Sequence, residues 1–168
     1  MTTTLDVHQS FPGSIDQVRA MLTDPGYVRN RAEQTGSISC EVTVTQGAGG
    51  ATEITTVRVL TADLPSFASA LVGSNLEVTE QQTWAPIAGD SCTATLDVSF
   101  SGPLAATGVI TLTAAGPQTT GPQTTGHVTA TIKSTVPFVG GKLEKMVQEQ
   151  LIRYLTKDEE LGRDWLQR

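Results

Sequence analysis

The chain is poor in the residues that usually disclose a mechanism. It has two cysteines, Cys40 and Cys92, far apart and with no paired-cysteine spacing or histidine companion. That excludes a disulfide framework and a zinc-finger type site, and two free thiols are expected. Lysine and arginine total 11 against 17 aspartates and glutamates, a formal charge of −6 with no basic cluster. A nucleic-acid partner or an anionic membrane surface needs a dense positive footprint, so neither is expected. No segment approaches the roughly 20 apolar residues of a membrane-spanning helix, so no integral membrane association is expected. The first eight residues carry neither a basic region nor an apolar run. A cytoplasmic protein without a signal peptide is the resulting expectation. Nucleophile-elbow, zinc-protease and phosphate-loop motifs are all missing, and no cofactor or metal is implied.

What the chain does have is periodicity. Leu5, Val7 and Phe11 alternate with Thr4, Asp6, His8 and Ser10, the pattern of a half-buried strand. Ser14-Ile15-Asp16-Gln17 has the form of a capping box and opens a helix carrying Ile15, Val18, Met21 and Leu22 inward. Asp24-Pro25-Gly26 stops it, and residues 27–34 form a second short helix. Ile38, Cys40, Val42 and Val44 then face the core of a hairpin whose return strand runs from Glu53 to Leu60. The apolar phase slips between Ile54 and Val57/Val59, which predicts a bulge there. Strands follow at 76–84, 92–100, 107–114 and 127–136. The strand at 127–136 buries Val128, Ala130, Ile132 and Val136. The tandem Gly116-Pro-Gln-Thr-Thr segment is a lengthened hairpin loop, too short to build a repeat architecture.

The last stretch, Pro137 to Arg168, is helical. Leu143, Met146, Val147, Leu151, Tyr154, Leu155, Leu161 and Trp165 recur every three or four residues, and Pro137 suits the first turn. One helix is expected, with bending possible near Thr156. A long amphipathic helix after a run of strands needs a sheet to cover its apolar face. The fold class is therefore α+β, one domain over residues 1–168, with about six or seven antiparallel strands wrapped around the C-terminal helix.

That order resembles the helix-grip fold of the START/SRPBCC superfamily. The resemblance is carried by the helical pair at 14–34, the meander of hairpins, and the entry Val136-Pro137-Phe138-Val139-Gly140-Gly141-Lys142-Leu143-Glu144. With Asp24-Pro25, this entry is similar to an uncharacterised actinobacterial family of that superfamily. Lipid-transfer domains, polyketide cyclases and pollen-allergen-like carriers share the fold. The resemblance implies a cavity between sheet and helix and transfers no catalytic motif.

Strand parity selects candidates for such a cavity. His8 and His127 fall on the polar phase. Glu80 and Gln82 share the phase of Leu76, Val78 and Trp84, so a carboxylate and an amide point inward if that face is covered. If the strand is an edge, Glu80 lies in water. Arg58 could reach such a carboxylate, with its side left open by the phase slip. Gln9 and Ser134 are further polar candidates. Residues 61–75, with Leu64, Phe67, Leu71 and Val72, read as a gate over the cavity mouth or a loop capping the core. The expected lining is Glu80, Gln82, Trp84, Arg58, Phe67, Leu71, Phe100, Met146, Leu151 and Tyr154.

The expected function is binding or carrying of a small hydrophobic or lipid-like molecule. A polyketide cyclase or dehydratase using Glu80 as acid/base is the alternative. An interaction or chaperone-cofactor module is the third reading.

Overall fold

The computed structural model describes residues 2–61, 65–116 and 121–168. Leu64, the Val72 side chain and residues 117–120 of the tandem loop lie outside the described residues. Seven antiparallel strands form one curved sheet in the order β1-β7-β6-β5-β4-β3-β2. They are β1 (Thr2–Phe11), β2 (Ser37–Gln46), β3 (Thr52–Thr61), β4 (Asn75–Trp84), β5 (Ser91–Phe100), β6 (Leu104–Ala114) and β7 (Thr124–Ser134). Helices α1 (Ile15–Leu22) and α2 (Pro25–Gln34) join the two edge strands. A short α3 (Ser66–Val72) links β3 to β4, and α4 (Gly140–Leu166) closes the chain.

Local chemistry explains most boundaries. Ser14 and Gln17 form the reciprocal capping box of α1. Asp24 does more than end α1. Its carboxylate accepts from the Gly26 and Tyr27 amides and so caps α2, whose first residue is Pro25. Pro137 lies before α4 rather than in its first turn; the helix starts at Gly140, after Phe138 with φ +70°. Helix α4 runs unbroken through Thr156, whose hydroxyl donates to the Ile152 carbonyl. Gly162 lets the helix settle on β1, since an added Cβ would stand 2.7 Å from the Phe11 ring.

Two expectations of register are corrected. Strand β3 has no bulge opposite β4, pairing continuously from Thr52 with Trp84 to Thr61 with Asn75. Its inward face is Thr52, Ile54, Thr56 and Arg58, while Val57 and Val59 are half-buried on the other face. The irregularity lies instead in β2, between Ser37 and Ser39, where Ile38 is thrown outward and is 60% exposed. β-branched residues suit either face of a strand, so their phase alone did not fix which face is covered.

Helix α4 crosses the concave face close to β1 and β7. Gln148 Nε2 donates to the Thr4 carbonyl at 2.6 Å, and the Glu144 carboxylate accepts from Thr3 Oγ1 at 2.8 Å and the Ser134 amide at 3.1 Å. A buried helix carboxylate thus receives two donors from the β1–β7 end. The other side of the curved sheet, at β3 and β4, stands away from α4, and that asymmetry leaves the interior space described next.

Candidate functional site

Among the described residues, two spaces stand out between sheet and helix. The smaller, of about 40 Å³, is bounded by Gln9, Arg31, Glu80, Gln82, Trp84 and Asp158 among apolar side chains of β1 and β5–β7. The larger, of about 530 Å³, lies between α4, the ends of β3 and β4, and the last turn of α2. Leu151 and Tyr154 line both and form the wall between them.

A chain of polar groups surrounds the smaller space. Alternation on β4 sends Glu80, Gln82 and Trp84 inward, with Glu80 8% exposed. Trp84 Nε1 donates to Gln82 Oε1 at 2.8 Å, and Gln82 Nε2 donates to Glu80 Oε1 at 2.7 Å. Arg31 Nη2 lies 3.9 Å from the same Glu80 oxygen. Its Nη1 donates to Asp158 Oδ1 at 3.1 Å, to which the Tyr27 hydroxyl donates at 2.6 Å. Gln9 Nε2 completes the set, donating to Asp158 Oδ2 at 3.0 Å and the Leu155 carbonyl at 2.8 Å. Burial and then the Asp158 carboxylate push the Tyr27 phenol far above its usual range. Burial opposes the charge on Arg31, but Tyr154, Asp158, Glu80 and Tyr27 together outweigh it and hold the guanidinium protonated. Each charged member has an opposite charge beside it, although the buried Arg31 Nε–H has no hydrogen-bond partner.

The larger space is organised differently. Leu76, Val78, Phe100, Met146 and Val147 supply its apolar walls, and Arg58, Arg153 and Lys157 its charges, with Arg58 directly across from Val78 on the neighbouring strand. Arg58 is 7% exposed. It donates from Nη1 to Thr35 Oγ1 at 3.3 Å, and its guanidinium lies 4.5 Å from the Tyr154 ring centroid. Burial, more than any neighbour, pushes the Tyr154 phenol up to about 12.

Of the residues expected to line a cavity, Arg58, Phe100, Met146, Leu151 and Tyr154 line the larger one. Glu80, Gln82 and Trp84 line the smaller, with Leu151 and Tyr154 shared. Phe67 and Leu71 differ from expectation. Phe67 packs on the apolar cluster around Val78 and Leu143, Leu71 is 39% exposed, and among the described residues neither lines either space. Helix α3 instead packs into that cluster, with Ala68 fully buried there. Gln9 is buried within the polar chain, while the Ser134 hydroxyl accepts from the Val136 amide.

Four residues were missed: Tyr27, Arg31, Glu144 and Asp158. The signal for Asp158 was present, because it continues the stripe of Leu151, Tyr154 and Leu155 at helical spacing. Arg31 likewise follows Tyr27 and Val28 on the buried face of α2.

The histidines sit on the outer face of the β1–β7 pair. His8 and His127 stack with centroids 4.1 Å apart, and both rings approach Asp6, with His127 Nε2 at 2.9 Å from Oδ1. One ligand atom from each of these three residues falls within 4.8 Å of the others, a spacing able to hold a metal ion at the surface. Both thiols are free, Cys92 buried and Cys40 half-buried.

A curved seven-stranded antiparallel sheet gripping a long C-terminal helix, with two short helices after the first strand, defines a START-like helix-grip protein. Solved structures share this architecture. Norcoclaurine synthase from Thalictrum flavum superposes with TM-score 0.59 at 8% identity, covering 100% of this chain and 88% of that one. A START superfamily protein from Mycobacterium smegmatis gives 0.55 at 11% identity, over 97% and 98%. A Thermus thermophilus protein gives 0.58 at 18%, over 95% and 97%. At such identities the likeness is one of fold. Within that class, the chain belongs to the family described as "Protein of unknown function (DUF2505)", whose sequence model matches residues 6–166. An uncharacterized protein of Mycobacterium tuberculosis is 25% identical over 173 residues, spanning 99% of this chain and 98% of its own length. The described helices include none long and apolar enough to cross a membrane.

Proposed function

We propose that the protein binds and carries a small, largely apolar molecule in the 530 Å³ space between β3, β4 and α4. The observation that carries this reading is that space itself. Its volume falls within the roughly 300–1,000 Å³ of small-molecule sites, and its walls are mostly apolar with a few convergent polar groups. The space is a cleft open to solvent, with Gln34, Thr61, Gln150 and Arg153 exposed at its rim, so a ligand can enter it. The fold supports the reading too, since it places a long helix across a sheet too curved to meet it everywhere.

The test is uptake of a neutral apolar fluorophore, N-phenyl-1-naphthylamine, by the purified protein. Wild type should enclose the dye and brighten it. Leu76→Trp, which fills the apolar end, should abolish uptake while the circular dichroism stays native. A wild-type protein that leaves the dye in water would sink the reading.

Catalysis by Glu80 is the second reading, and one observation bears on it. Glu80 lines the smaller space, with Leu151 and Tyr154 between it and the larger one. At about 40 Å³ that space is too small to hold a substrate of this class as it stands. Native-like Glu80→Gln protein that keeps any turnover later found for this family would remove that reading.

A further inference from the structure

Along α4 the larger space runs from Met146 and Val147 to Arg153 and Lys157, roughly 16 Å at 1.5 Å per residue. Leu76 and Phe100 belong to the apolar cluster that includes Met146, while Arg58 lies on the Tyr154 ring beside Thr35. Among the described lining residues there is no carboxylate. In a chain where acidic residues outnumber basic ones 17 to 11, three cations facing one space with no anion run against the background.

Arg58 is the critical group. It is more than nine-tenths buried and faces the space, and among the described residues it enters no ion pair; its one hydrogen bond is to the neutral Thr35 hydroxyl. Lys157, by contrast, pairs with Glu160 at 3.2 Å on the surface. The Arg58 guanidinium has five donors in a planar fork suited to an oxyanion, and it lines the space with only the Thr35 hydroxyl as partner. An anion with an apolar body attached would match both the charge and the apolar walls.

We infer that the ligand is an amphipathic anion, a carboxylate- or phosphate-headed apolar molecule whose head meets Arg58 and Arg153 and whose body lies toward Phe100 and Met146. This rests on the proposed cavity function and adds the ligand's charge and orientation. It also gives Arg58 a role that core packing would not require.

The experiment is displacement of bound N-phenyl-1-naphthylamine by dodecanoate, dodecyl phosphate and 1-dodecanol at about pH 8, where the carboxylate is ionised. One charge-assisted contact in a desolvated site should make an anion bind roughly ten- to hundredfold more tightly than the alcohol. Whichever anion shows the preference identifies the head group. Arg58→Met should erase the preference and leave 1-dodecanol affinity within about twofold. If that variant is misfolded, Arg58→Lys and the exposed Arg153→Gln take its place, each expected to reduce the preference in part.

Equal affinity for alcohol and anions, or a preference that survives Arg58→Met, would overturn the inference while leaving the cavity reading intact. Failure of the wild type to take up the neutral dye would remove both.

Discussion

Arg31 and Arg58 lie against the same tyrosine, their guanidinium carbons 5.4 and 4.5 Å from the Tyr154 ring centroid, and both are nearly sheltered from solvent. Their surroundings diverge from there. Arg31 sits between two carboxylates, Asp158 at 3.1 Å and Glu80 at 3.9 Å, in a network that Tyr27, Gln9 and Gln82 complete. Arg58 has a hydroxyl and an open space. One region is a sealed structural joint tying α2, β1 and β4 to the C-terminal half of α4. The other gives Arg58 a single neutral hydrogen-bond partner at the wall of the larger space. Burial alone does not separate the two arginines; their partners do.

The comparison can be broken most directly through Asp158. Asp158→Ala leaves Arg31, Tyr27 and Gln9 short of their common acceptor, and removing one partner of a buried pair costs about 3–5 kcal/mol. Urea denaturation should show that loss as a lowered midpoint. A loss below about 1 kcal/mol would mean that the joint is not what holds this end together.

Arg58→Met sharpens the contrast from the other side. Here no described carboxylate is orphaned and a buried charge is removed, so stability should change by less than about 1 kcal/mol in either direction. Equal losses in the two variants would erase the distinction between the regions.

The smallest effect is a matter of pH. In the unfolded chain Tyr154 loses its proton near the ordinary 10.0, whereas the folded protein retains it up to about 12. Between those values the folded state holds more protons than the unfolded, so stability falls as pH rises through the window. Below pH 10 this contribution is fully present. Tyr154→Phe removes the titrating group, and its denaturation midpoint should fall less steeply than the wild type's from about pH 10 to about pH 12. Parallel curves would place the Tyr154 phenol in a more watery setting than the wall of the two spaces.

Much of this architecture could be read directly from the chain. Alternation in residues 3–11, 76–84 and 92–100 gave the strands and put Glu80 and Gln82 on the phase of Val78 and Trp84, but whether that face was covered or lay at an edge was settled only by the sheet. The Ser14–Gln17 capping box announced α1 with its boundary. Strand β3 was harder, because Val57 and Val59 offered an apolar phase on the wrong face, and only pairing with β4 decided that Arg58 turns inward. Ile38 was misplaced for the complementary reason, since a bulge shifts parity without leaving a mark in a short run of residues. Asp158 and Arg31 lay on visible helical stripes, but a charge on a stripe reads as a boundary until its partner is known.

The chain by itself determined periodicity, and with it the strands, the helices and the side each residue presents. Those are local properties, set by backbone geometry over a few positions. Only the tertiary structure decided which inward charges would be answered. Arg31 and Asp158 are 127 positions apart, joined because α4 crosses close to α2 and β1, while the sheet's curvature holds β3 away from the same helix. Electrostatic pairing depends on distance in space, which local periodicity does not encode, so one buried arginine became part of the frame and the other the edge of a cavity.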